Sequence, residues 1–141
     1  MRPFTHSFSS TASPEAAYAA VATKPGIQAW WCKDCDIAAQ TGGTHHMRFD
    51  KQGTLVNMQF RVDELQPGAA VAWTCTQNDN PVWNRSTLRW TIKESGEGSK
   101  VSFEHSGFAG GGPPYEATLE GWAMFMQSLE SHLAGEKGTP F

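Results

Sequence analysis

No stretch of this sequence stays apolar over the roughly 18 residues that a membrane-crossing helix needs. The opening MRPFTHSFSS lacks the apolar segment that marks a secretory signal. Basic residues are few and scattered: 11 Lys and Arg against 14 Asp and Glu, with no Lys/Arg run, leave a net charge of −3 that argues against nucleic acid as a partner. Cysteine is scarce as well. Three, an odd number, fit reduced thiols better than a disulfide scaffold, so the chain reads as cytoplasmic, with no membrane span. Neither a G-x-S-x-G nucleophile elbow nor a P-loop is present. Gly110–Gly112 stands before a helix but has no P-loop lysine, and reads as a hinge. At 141 residues there is chain for one substantial core and not for two, so 1–141 is a single domain.

Aromatic residues are abundant instead: six Trp and eight Phe. Their large apolar area and few rotatable bonds suit a packed core and a ligand pocket equally, so their placement along the chain has to discriminate.

Phe4, His6 and Phe8 alternate with Thr5, Ser7 and Ser9, the pattern of a half-buried strand. Ser13-Pro14-Glu15 is an N-cap followed by proline in the first turn, which starts a helix through Ala16–Ala22. That helix stops near Thr23-Lys24-Pro25-Gly26, and a second short one carries Ile27, Trp30 and Trp31. Period-2 alternation then recurs in His45, Met47, Phe49; in Val56, Met58, Phe60, Val62; in Val71, Trp73, Cys75; in Leu88, Trp90, Ile92; and in Val101, Phe103, His105. Clean alternation gives one buried and one wet face, the mark of an antiparallel sheet. Beyond Pro113-Pro114, the residues Leu119, Trp122, Phe125, Met126, Leu129 and Leu133 recur at helical spacing, predicting a long amphipathic helix over about 114–134. The expectation is an α+β fold: a curved antiparallel sheet of six or seven strands around a C-terminal helix, with two short helices after strand 1.

Ser13-Pro14-Glu15, Trp30-Trp31 after a Pro-Gly, Phe60 to Pro67 followed by Val71-Ala72-Trp73, and Gly121-Trp122 early in the terminal helix occur in an order that resembles the activator-of-heat-shock-protein-90-ATPase-like family. That family belongs to the START-like (SRPBCC; polyketide cyclase/dehydrase and lipid transport) superfamily. The resemblance implies a helix-grip fold and covers nearly the whole chain. It implies an apolar small molecule as partner and leaves open a homodimer, a chaperone partner, or a cyclase- or hydratase-like enzyme.

A sheet wrapped around one helix leaves space between them. Met58, Phe60, Trp73, Trp90 and Phe103 from the strands, with Trp122, Phe125 and Met126 from the helix, are the expected lining of a cavity. His45 or His105 would be its polar fixtures, and Gly107 or Ala123 could border it. A filled core is the competing reading. His6, His45 and His105 share the apolar parity of their strands, but no spacing ties them into a metal site. Cys32-Lys33-Asp34-Cys35 is a lone C-x-x-C without a second ligand pair, so no metal is expected there. Glu15, Glu116 and Glu120 lie near helix starts, where a carboxylate complements the dipole. No residue is assigned a catalytic role, and no cofactor is implied.

Overall fold

The computed structural model describes residues 1–141. Strand β1 (Phe4–Ser10) leads into α1 (Pro14–Ala22), whose first turn is capped by Ser13 Oγ accepting from Ala16 N at 3.1 Å. Thr23 closes α1 and opens α2 (Lys24–Trp30): its hydroxyl donates to Ala19 O and accepts from Gly26 N. The Pro25-Gly26 pair therefore starts the second helix rather than ending the first. Gly26 also lets the helices touch, because a Cβ there would run into Ala19 O and Ala20 Cα. Trp30 Nε1 donates to Ala20 O at 2.7 Å and completes the joint.

The remaining strands are β2 (Asp34–Asp36), β3 (Thr44–Lys51), β4 (Thr54–Gln66), β5 (Ala70–Asn78), β6 (Thr87–Ser95) and β7 (Gly98–Ser106). They form one seven-stranded sheet in the order β1-β7-β6-β5-β4-β3-β2, antiparallel throughout. The expected antiparallel sheet is thus present with seven strands. β2 escaped the sequence reading because three residues are too few to show a period. Register shifts in β4 at Gln59/Phe60 and Val62/Glu64 bend the sheet. The alternation read in β4 holds from Val56 to Val62, which share one face: Phe60 and Val62 are buried, while Val56 and Met58 are half-buried.

Helix α3 (Pro113–Leu133) lies where the stripe placed it and crosses the sheet, tied to β1 by His6–Glu130 at 3.2 Å. No helix is long and apolar enough to cross a membrane. After α3 the chain folds back along α2. Ser128 Oγ donates to Trp30 O and accepts from Thr139 N, and Phe141 N donates to Trp31 O.

The interior is aromatic from sheet to helix. Trp73 meets Trp90 at 4.8 Å between centroids, Trp90 meets Phe103 at 4.8 Å, and Phe103 meets Trp122 at 4.5 Å. Such contacts belong to a filled core, so Phe103→Ala should destabilise the protein by about 3–5 kcal/mol in urea denaturation. A loss below about 1 kcal/mol would mean that the interior is loosely packed.

Candidate functional site

Between the first half of α3 and the β3–β4 hairpin the chain leaves a cleft of about 250 Å³. Trp31, Phe49, Val56, Met58, Trp83, Trp122, Phe125 and Phe141 supply apolar walls, while Lys51, Asp79, Asn80 and Thr118 bring polar atoms. Ala117 and Gly121 of α3 complete the lining.

Of the residues expected around a cavity, Met58, Trp122 and Phe125 line this cleft. Phe60, Trp73, Trp90, Phe103, Met126, His45 and His105 do not: each is buried to within about 2% of full coverage. The expected space beneath them is occupied by Trp31, whose ring stacks on Trp73 at 6.0 Å and 4° and meets Trp122 at 5.2 Å. The opening lies to the side of the core instead of inside it. Neither proposed border residue touches it, since Ala123 is exposed and Gly107 faces Ser86.

Trp83 is a wall that the sequence reading missed. It sits on a 3₁₀ turn (Pro81–Trp83) whose first amide is capped by Asn80 Oδ1. Asn80-Pro81 is the same cap-then-proline signal as Ser13-Pro14, and it is the sequence feature that marks this turn. Trp83 Nε1 donates to Thr118 Oγ1 at 2.8 Å, and Thr118 Oγ1 donates to Pro114 O, which fixes the turn against α3.

The three histidines are separated by their environments. His6 pairs with Glu130 at the margin of the sheet. His45 Nδ1 accepts from Ala38 N at 3.0 Å, its Nε2 has no partner, and its ring stands edge-on to Trp73 at 4.5 Å. The indole donors of Trp73 and Trp90 are likewise unpaired within the core. His105 Nδ1 accepts from Trp122 Nε1 at 2.9 Å. An indole only donates, so the neutral imidazole carries its proton on Nε2 and gives it to Ser86 Oγ at 2.7 Å. Ser86 passes its own hydrogen to Trp83 O. This Ser–His pair runs opposite to nucleophile activation, in which the imidazole must accept the hydroxyl proton. Its role is to lock Trp83 and Trp122, the two walls it connects.

The C-x-x-C thiols are buried and turned to carbonyls: Cys32 Sγ donates to Asp34 O and Arg48 O, and Cys35 Sγ to Cys32 O. Burial pushes Cys32 up to about 11 and raises Cys35 as well. A metal ligand or a redox nucleophile needs the thiolate, which these surroundings disfavour.

The chain matches the family described as Activator of Hsp90 ATPase homolog 1-like protein over residues 11–134. Among solved structures it is similar to the Aha1 dimer from Colwellia psychrerythraea, at 27% identity and TM-score 0.80, with 98% of this chain and 100% of that one covered. A protein from Chromobacterium violaceum shares the fold at 21% identity and TM-score 0.80, covering 94% and 96%. DynU16, a putative protein in the dynemicin biosynthetic locus, shares it at 17% identity and TM-score 0.75 over 96% of this chain and 48% of its own. No curated protein matches the sequence.

Burial lowers His45 from 6.5 to about 4 and His105 to about 3. Below about pH 6.5 the unfolded imidazoles take up protons that the native ones refuse. Stability should therefore fall with decreasing pH by about 1.4 kcal/mol per unit for each histidine, through to the native values. Urea denaturation between pH 7 and pH 4 should show this slope, reduced in His45→Asn, where the amide oxygen can replace Nδ1 as acceptor. A flat profile over that range would contradict the buried neutral histidines.

Proposed function

The chain belongs to the Activator of Hsp90 ATPase homolog 1-like family, and from that premise we propose that it binds a small apolar molecule in the cleft between the β3–β4 hairpin and α3. Gly121 is the observation that carries this reading. Glycine inside a helix is destabilising by about 0.5–1 kcal/mol relative to alanine. A Cβ at Gly121 would meet nothing within 4 Å, so no packing contact demands the absence of a side chain. What the bare position provides is room on the cleft side of the helix.

The walls support the same reading. Trp31, Trp83 and Trp122 are held by stacking and by hydrogen bonds, so a ligand would meet surfaces already in place. About 250 Å³ is the space of roughly eight waters at about 30 Å³ each, which suits a ligand of about ten non-hydrogen atoms. At about 0.6–0.8 kcal/mol per atom such a ligand would bind in the micromolar range. A cyclase- or hydratase-like enzyme would need an acid–base group beside the ligand, and neither His45 nor His105 reaches the cleft. A homodimer is a second reading, favoured by the exposed Met124 and Phe141 beside the cleft. Sedimentation should then show a dimer that Met124→Asp weakens, and a monomer at all concentrations would dismiss it.

Gly121→Ala should raise stability by about 0.5–1 kcal/mol. Gly121→Leu should keep the fold and abolish the quenching of Trp fluorescence by an apolar probe that wild type binds. Native mass spectrometry of freshly purified protein should detect a retained small molecule in wild type and not in Gly121→Leu. Equal probe binding by both proteins would defeat the assignment of the cleft.

A further inference from the structure

We propose that the molecule bound in this cleft carries a carboxylate, held at the mouth by Lys51, on an aromatic body lying between α3 and the β3–β4 hairpin; this rests on the binding reading above. Lys51 ends β3 and is the cation among the lining residues. Its Nζ stands 6.0 Å from the centroid of the Phe141 ring, a cation–π contact that keeps the ammonium at the opening. It makes no ion pair within the protein: those present join His6 to Glu130, Arg48 to Asp34 and Asp36, Arg61 to Asp63, and Arg89 to Glu64.

The anion of the cleft is in the opposite condition. Asp79 Oδ2 accepts from Asn57 N at 2.8 Å and Oδ1 from Gln77 Nε2 at 3.2 Å. Those hydrogen bonds hold its carboxyl below the usual range, as a satisfied carboxylate. The unanswered charge is therefore the ammonium, with three donors to offer. Position along the hairpin adds direction. Lys51 pairs with Thr54, whereas Asn57, which binds Asp79, lies further along β4 beyond Val56. A carboxylate is drawn to one end of the apolar floor and repelled from the other. Trp31, Trp83 and Trp122 line the cleft with aromatic rings, and an aryl body can pack against such rings edge-on or offset.

Calorimetric titration of the full chain with 2-naphthoate, its neutral counterpart 2-naphthylmethanol, and octanoate tests the assignment. Naphthoate should bind about threefold to tenfold tighter than the alcohol, as for a charged hydrogen bond at a partly solvated site. Added salt should weaken that preference. It should vanish in Lys51→Met and invert in Lys51→Glu, both at an exposed position, with an unchanged circular dichroism spectrum showing that the variants fold. Octanoate binding tighter than naphthoate, with the same dependence on Lys51, would support the carboxylate and replace the aryl body by an alkyl chain. Equal affinity for naphthoate and the alcohol, or no response in either Lys51 variant, would overturn the carboxylate and leave the cleft reading standing. Failure of all three compounds to bind wild type would overturn the cleft reading itself.

Discussion

The indole of Trp31 is the contact on which the rest of the interior depends. It leaves the end of α2, a short helix outside the sheet, and enters the space between sheet and α3. There it meets Phe60 and Trp73 from the strands and Trp122 and Phe125 from the helix. A side chain of this size buries about 150–250 Å², which at about 25 cal/mol per Å² is an upper estimate of roughly 4–6 kcal/mol. Its position has two consequences. The centre of the grip is filled by the protein itself, and the remaining space is displaced toward the β3–β4 hairpin.

Holding a filled aromatic core in one arrangement takes directional contacts as well as area. Trp30 is tied to Ala20, Trp83 to Thr118, and Trp122 to His105. His105 joins two of these walls through Ser86, and burial keeps its ring neutral. The same burial removes it from acid–base chemistry near neutral pH, because its proton is committed to Ser86 and its lone pair to Trp122. Rigidity of the cleft walls and chemical silence of the histidine have one cause.

The cleft has a different character. Gly121 leaves the helix side open, the half-buried Val56 and Met58 form an apolar floor, and Lys51 and Asp79 bring opposite charges to its lining. Polar atoms at its margin are mostly engaged: Asn80 caps the 3₁₀ turn, and Thr118 bonds both Trp83 and Pro114. In the binding reading proposed above, the tight walls and the one free ammonium serve to hold the ligand.

Period-2 alternation in six segments and helical spacing from Leu119 to Leu133 determined the antiparallel sheet and the helix that covers it, because these patterns are local and burial on one face enforces them. The paired cap-and-proline signal at Ser13-Pro14 likewise placed α1. The sequence also marked which residues would be buried: Trp73, Trp90, Phe103 and His105 share the inward parity assigned to them. Parity says that a side chain points inward; it does not say whether another side chain meets it there. That was decided by Trp31, which arrives from a distant segment and packs against Trp73 and Trp122, positions 73 and 122 being far from it in the chain. The side location of the cleft, its Lys51 and Asp79, and the return of Phe141 onto Phe49 follow from the same long-range packing. Only the tertiary structure could decide them, because filling a volume is a property of all the side chains that compete for it.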